Sequence, residues 1–582
     1  MASQISSQQK SPDILDQEFE QFASEVVDFS SQYAGEIGLS YSAKNLAGAS
    51  EIYPKYGDFT QACVLRTYGP WWKLAPSYAG QIPRVPSKFV SQDYIDLSFD
   101  TPVIPTKIEI YETYNPGAVS RIVACISPEQ SGNGDKKLWM TLWSGQPKPV
   151  PRRSRIFSPS LALIPYPVKF LRLEFCCTLC DYYTELDAVK LTGKRCSDEY
   201  ISKIIKILNK ERDVLSLDEH QESMSGMMQW LSLGSGSSDP PEGYFSLLPE
   251  EVIQKIFSFL DLRTLCKIVS TCKLFQKHAY DPLHFTVVNA QPYWATMSDN
   301  GLDSLHSRCK LLRRLSLSWC GNYGHITQDG LNRFLRVCGM MVTDLRLACC
   351  KFVDDKVLKT IVECCPKLRE IDLHSCPISD WTPLLSVNLT RLNLYRSQID
   401  GDSLKKILSV NHDLEHLNIG CCTFIQNYDE ITATLAKHCI HLKSLDCWRA
   451  KTLTDVGMLQ LSQGCKELQE LDIGWCGNIR SGSGCLVKLA KTSGRNLRKL
   501  YLTANRTVAD QDLKALADNC PNLEQLDILG TGEVKAALVE RVLENCTQLK
   551  FFDVSFCAAV DFAMLQGLRD QFPNVDIKKS FQ

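Results

Sequence analysis

Leu468-Gln469-Glu470-Leu471-Asp472-Ile473-Gly474-Trp475-Cys476 carries Leu-x-x-Leu-x-Leu, with Ile473 in the last place, the strand half of a unit that recurs along the chain. The segment before it, Leu453-Thr454-Asp455-Val456-Gly457-Met458-Leu459, offers Thr454 or Asp455 as the cap of a helix that ends before Cys465. The apolar centre of the strand half returns at 315, 345, 371, 392, 417, 445, 471, 500, 526 and 552, ten units with a mean spacing of about 26 residues. Cys309, Cys365, Cys465, Cys520 and Cys546 each stand three residues ahead of the first apolar residue of a unit. A unit of one strand and one helix cannot bury its apolar face alone, so the units stack into a solenoid with a parallel sheet inside and helices outside. Val575-Asp576-Ile577 through Lys578-Lys579 is expected to close it as an edge strand protected by charge.

Upstream, residues 244–285 contain two helical faces: Ile253, Ile256, Phe257 and Leu260, then Leu265, Ile268, Val269 and Cys272. Pro249 suits the first turn of the first helix, and Thr264 is the expected cap of the second. Two helices this short leave one face wanting a partner or the next domain. Residues 196–243 combine an amphipathic stretch (Ile201, Ile204, Ile205, Leu208) with Leu233-Gly234-Ser235-Gly236-Ser237-Ser238-Asp239-Pro240-Pro241, a linker composition. Earlier still, short alternating runs such as Tyr94-Ile95-Asp96-Leu97-Ser98-Phe99 and Phe170-Leu171-Arg172-Leu173-Glu174-Phe175, broken by Pro, Gly and Asn, predict an all-β sandwich.

The fold class is therefore multidomain: a disordered N-terminus at 1–19, a β-sandwich at 20–195, a linker at 196–243, a short α-helical segment at 244–285, a connection at 286–308, and an α/β solenoid with its closing strand at 309–582. A chain of 582 residues with 44% hydrophobic and 22% charged side chains has material for several cores. Its net charge of -2 supplies no global field for nucleic acid or anionic lipid, so partners are recognised locally. No apolar run reaches the 18 residues of a transmembrane span, and the first residues carry no apolar signal segment. The first arginine is Arg66, against an arginine-rich presequence. A reducing, cytoplasmic setting follows, in which the 26 cysteines, 18 of them from Cys309 onward, are small buried packing groups; no metal or cofactor is expected.

The repeats resemble cysteine-containing leucine-rich repeats, with departures at Asn411 and Ala450, where cysteines would stand. The helical segment resembles an F-box on Leu248-Pro249, Glu251, Val252, Ile256, Phe257, Leu260, Leu265, Val269 and Cys272-Lys273; Thr264-Leu265 stands where F-boxes carry Asp-Leu. The sandwich resembles a discoidin-like jelly roll on Asp93 to Phe99, Pro105 to Ile108, Glu112 to Val119 and Arg121-Ile122. Trp71 and Trp72 are placed at a sandwich loop, where a sugar or peptide would stack, or else in the core. In this order the three modules resemble one subgroup of F-box and leucine-rich-repeat proteins.

That resemblance implies a non-catalytic substrate receptor of a Skp-cullin-F-box ubiquitin ligase. The Skp adaptor would be held by Leu248, Pro249, Glu251, Val252, Ile256, Phe257, Leu260 and Leu265, and a cullin scaffold joined through it. It also implies mitophagy receptors as targets and association with the mitochondrial outer surface through partners, although no targeting leader is evident. On the repeats, the outward residue between the last two leucines is Asp in five of ten units, and a basic degron would suit that row. Asp372, Asp446, Asp472, Tyr501 and Asp527 come from this row; Tyr395 and Trp448, at the next outward position, are the expected anchors for a target protein. The row is otherwise a solvated filler of the repeat. Two further readings stay open: a repeat scaffold with no ubiquitin link, and an enzyme with Cys421 or Cys422 as a thioester carrier. No Ser-His-Asp order, phosphate loop or zinc-ring spacing accompanies the second.

Overall fold

The computed structural model describes residues 14–33, 40–66, 93–126, 139–148, 150–177, 183–197, 199–201, 244–322, 325–532 and 534–580. Trp71 and Trp72, Cys180, and most of the expected linker, with Ile204, Ile205 and Leu208, lie outside these residues. The chain divides into two compact units, one N-terminal and one C-terminal; of the helical residues 250–279, Asp261–Cys266 group with the second.

Among its described residues the N-terminal unit is an antiparallel β structure of nine strands: β1 (Ile14–Phe22), β2 (Glu25–Phe29), β3 (Cys63–Val64), β4 (Asp93–Tyr114), β5 (Val119–Cys125), β6 (Trp139–Ser144), β7 (Arg155–Phe157), β8 (Val168–Phe175) and β9 (Glu185–Cys196). The long β4 organises it. Its first half, Asp93 to Ser98, pairs with β2 and β8, and its second half, from Val103, runs along β9 and β7, with a register break between Ser98 and Val103. A strand that changes partners at such a break turns the corner of the sheet and encloses a core. Ile95, Leu97, Phe99, Ile108 and Ile110 of β4 fill it, with Leu171, Leu173 and Phe175 of β8 and Leu191 of β9. On the opposite side of the same pleat, Arg172 is fully buried: it grips Asp96 through Nε–Oδ1 at 2.5 Å and Nη2–Oδ2 at 2.6 Å, and its guanidinium lies 3.8 Å from the centre of the Tyr94 ring.

The expectation of disorder through residue 19 is corrected. β1 begins at Ile14 and pairs with β9 from Glu18 to Phe22. Two of its acids are answered by neighbouring strands: Glu20 meets Lys190 at 3.2 Å, and Glu18 accepts a hydrogen bond from Thr106 at 2.8 Å.

The C-terminal unit carries twelve parallel strands in sequence order, from β10 (Val287–Asn289) to β21 (Asp576–Lys578). The ten apolar centres from Leu315 to Phe552 pair consecutively across the sheet in the expected alignment. The solenoid nevertheless starts earlier than 309. Val288 pairs with Leu315, and the helix Asp299–Leu305 follows, so the stretch 286–308 is a first repeat and not a connection. At the other end β21 closes the sheet, but Lys578 is buried against Asp576 at 3.1 Å and the Lys579 ammonium donates to the Cys557 carbonyl; these charges tie the strand down and do not screen an edge.

Three ladders run from repeat to repeat. The ten strands that carry Leu315 to Phe552 each turn the corner through one left-handed residue: Trp319, Cys349, Ser375, Arg396, Cys421, Arg449, Trp475, Ala504 and Phe556 have φ of 55° to 71°, none of them β-branched, the class that tolerates this conformation least, and Gly530 takes the place at 75°. The residue after it bonds back to the previous repeat. Cys350, Cys376, Cys422, Cys476 and Cys557 donate their thiols to the carbonyls of Leu317, Leu347, Leu394, Cys447 and Ile528 at 3.0 to 3.4 Å, and Asn505 does the same to Ile473 at 2.9 Å. The cysteines are thus small buried fillers that also donate. Between helices, Asp429 accepts from the Thr454 amide at 2.8 Å and its hydroxyl at 2.6 Å, and a Cβ on Gly457 would lie 2.3 Å from that carboxylate. Asp299, Thr327 and Gly330 repeat the device, which accounts for Thr, Asp and Gly in the helix half.

Candidate adaptor-docking helix and repeat strand face

Helix α1 (Glu250–Phe257) is followed by α2 (Leu262–Ile268) and α3 (Lys273–Ala279). On α1, Ile253 and Phe257 point inward; the Phe257 ring meets the Phe275 ring of α3 edge-on at 5.3 Å, and Phe245 meets the same ring at 4.9 Å. The Gln254 side chain bonds His278 at 3.2 Å, and Glu250 pairs with Lys277, fixing the first part of α1 to the last residues of α3. The other side of α1 is apolar and open: Val252 is 41% and Ile256 36% exposed, with Leu247 and Phe259 more exposed still. Pro249 and Glu251 are exposed, and Leu248 and Leu260 half-buried. Phe257 and Leu265 are corrected as adaptor contacts, because both are buried within the chain itself. Helical spacing could have found Phe259, seven residues after Val252 on the face of Ile256. The second helix is capped by Asp261, whose Oδ1 accepts from the Thr264 amide at 2.8 Å, and not by Thr264. Asp261-Leu262 therefore opens the second helix, three residues ahead of Thr264-Leu265.

On the repeats, the row Ser316, Arg346, Asp372, Asn393, Asn418, Asp446, Asp472, Tyr501, Asp527, Asp553 is aligned strand by strand as expected. Its chemistry is not that of an acidic docking stripe. The Oδ1 atoms of Asp372, Asp446, Asp472, Asp527 and Asp553 accept from the backbone N–H two residues on at 2.8 to 3.1 Å, and Asn393 and Asn418 do likewise. The side chain caps the strand as the backbone enters the left-handed corner, a local bond that Asp and Asn make equally well. Asp446 and Asp527 are buried, and burial beside Asp553 holds the Asp527 carboxyl well above the usual carboxylate range. Asp446→Ala is accordingly expected to cost about 1–3 kcal/mol, the penalty of an orphaned buried N–H, and Asp446→Asn close to nothing, as read by urea denaturation of the two variants.

The expected anchors are corrected as well. Trp448 is 1% exposed, with the Arg449 guanidinium 4.8 Å from its ring centre; its Cδ1 lies 3.0 Å from where Gly474 of the next strand would carry a Cβ. Tyr395 is buried edge-on to His374 at 6.2 Å, and buried Tyr501 donates to Gln525 Oε1 at 2.5 Å. What remains partly open on this row lies at Arg346, Asp372, Asn393, Asn418 and Asp472, with His374 beside them.

His416, on the strand His416–Asn418, is buried and flanked by Arg391 and Lys443; burial first, then these cations, push its pKa down to about 3. An unfolded histidine titrates near 6.5, so between these values the unfolded chain binds the extra proton and stability falls as pH falls. The expected slope is about 1.4 kcal/mol per pH unit below roughly 6.5, and His416→Asn should remove that increment from the pH dependence of the melting temperature.

Over 577 residues, 97% of this chain and 92% of the relative, the sequence is 42% identical to F-box/LRR-repeat protein 4 of Bos taurus. The chain belongs to the F-box/LRR-repeat protein 4 family. The model of the F-box-like family matches residues 245–289, which include α1 to α3 and run into β10. Among solved structures, a chain of the yeast Rad7 and Elc1 complex aligns with 18% identity and a TM-score of 0.38, over 55% of this chain and 92% of that one. An internalin from Listeria monocytogenes aligns with 17% identity and a TM-score of 0.30, over 49% and 89%. Among the described residues of this family member, no helix is long and apolar enough to cross a membrane.

Proposed function

We propose that this chain is the non-catalytic substrate receptor of a Skp-cullin-F-box ubiquitin ligase. The observation that carries the reading is the open apolar side of α1 inside the segment matched as F-box-like: Leu247, Val252, Ile256 and Phe259 leave an apolar strip on a helix whose inner side is already packed. A Skp adaptor fits that strip, with Leu248, Pro249, Glu251 and Leu260 at its margins, and a cullin scaffold joins through the adaptor. The receptor raises the effective concentration of a target near a ubiquitin-charged enzyme and does no bond chemistry itself. Targets, mitophagy receptors among them as family resemblance implies, would be held by the partly open strand face from Arg346 to Asn418 and by the discoidin-like sandwich, in the cytoplasm and at the mitochondrial outer surface. Co-purification of the Skp adaptor and cullin with the intact chain, lost on Leu248→Ala/Pro249→Ala, is the expected result. Failure of both chains to capture adaptor would leave a repeat scaffold.

A further inference from the structure

We propose that Cys349, His374 and Asp372 form an activated thiol site at which hydrogen peroxide oxidises Cys349 to a sulfenic acid. Cys349 Sγ lies 3.3 Å from His374 Nε2, and His374 Nδ1 lies 3.2 Å from Asp372 Oδ1. The Asp372 carboxyl is held below the usual carboxylate range: burial opposes ionisation, but His374 and Arg346 outweigh it. An ionised carboxylate only accepts, so Nδ1 carries a proton and Nε2 is left to take one from the thiol. Burial also works against a charged imidazole, yet Cys349 and Asp372 together lift His374 well above the ordinary histidine value. The ring is fixed from both sides: the His374 amide donates to Asp372 Oδ1 at 3.1 Å, and the His374 carbonyl accepts from the Cys349 amide at 2.9 Å. A nucleophile, a base and a group that orients the base are thereby in line.

The repeat itself supplies the control. Cys421 holds the same left-handed corner position, with its amide donating to Trp448, so a tryptophan stands where Cys349 has His374. In the reaction the Cys349 thiol gives its proton to His374 Nε2, and the thiolate attacks one peroxide oxygen. The O–O bond breaks, sulfur loses two electrons, and the departing hydroxide takes the proton from the imidazolium as water. Thiol and peroxide become sulfenic acid and water, and His374 ends neutral. Cys349 is 5% exposed and lies beside the half-buried imidazole of His374.

The test treats the intact folded chain with hydrogen peroxide, traps sulfenic acid with dimedone, and reads each cysteine by peptide mass spectrometry; iodoacetamide serves as an independent probe of the thiolate. Cys349 should react roughly tenfold faster than the more open Cys421 and the exposed Cys272, against the order of their exposure. His374→Phe and Asp372→Asn should each bring Cys349 down to the rate of Cys421 while the rate of Cys272 stays put. Asp372→Asn keeps the strand cap, as Asn393 and Asn418 show, so it decides the matter if His374→Phe fails to fold. A Cys349 no faster than Cys421, or a fast Cys349 indifferent to Asp372→Asn, overturns the proposal.

Discussion

A chain carrying Val252→Glu and Ile256→Glu is expected to lose the Skp adaptor and to melt where the parent melts. Each of these side chains keeps about two fifths of its surface open in the free chain, so each would contribute about 0.6–1.2 kcal/mol on burial against a partner. Losing both removes about 1.2–2.4 kcal/mol, or roughly 10- to 50-fold in affinity, before the further cost of bringing two carboxylates against an apolar surface. Folding is spared because substitutions on an exposed face usually stay within about 0.5 kcal/mol. Phe257→Ala is the contrasting variant: packed edge-on against Phe275, it should cost about 3–5 kcal/mol and lose adaptor only by disordering α1. Titration of purified adaptor, with a thermal melt of each variant, separates the two. Adaptor binding unchanged in the double glutamate variant would remove α1 as the docking element.

The second large effect is expected in the sandwich. Arg172→Met should destabilise this unit by about 3–5 kcal/mol, because it takes the buried guanidinium away from the buried Asp96 carboxylate. Asp96→Leu/Arg172→Met, which removes both charges, should recover most of that loss, since a buried pair replaced by apolar residues of similar volume is often neutral or stabilising. Urea denaturation of the parent and the two variants reads it. Equal loss in the single and double variants would mean that the guanidinium stack on Tyr94, and not the ion pair, holds this part of β4 and β8 together.

The repeats were legible because one apolar position in each unit must point inward, and a one-residue slip would turn every side chain over. That logic aligned all ten strands and fixed which residues face outward. It could not tell what an outward side chain does. Asp446 and Asp472 face outward and bond their own backbone, a use set by the left-handed corner two to three residues on. Trp448 also faces outward, yet it is covered, with Gly474 across the strand leaving a hollow for its ring, and no reading of one repeat at a time contains that fact. On α1 the helical period defined two apolar sides; only the rings of α3, twenty residues later, decide that Phe257 is inside and Val252 outside. β1 escaped for a related reason, since its partner is far along the chain and its acids are answered there.

The distance between β1 and β9 has a consequence for how the chain is made. Glu20 and its partner Lys190 are 170 residues apart, so at ribosomal speeds of about 5–20 residues per second the first strand emerges roughly 10–30 s before anything exists for it to pair with. The solenoid has no such wait, because each new turn docks on the one just finished. During synthesis the sandwich is thus the part of the nascent chain with unpaired strand edges, and the part on which chaperone attendance should fall.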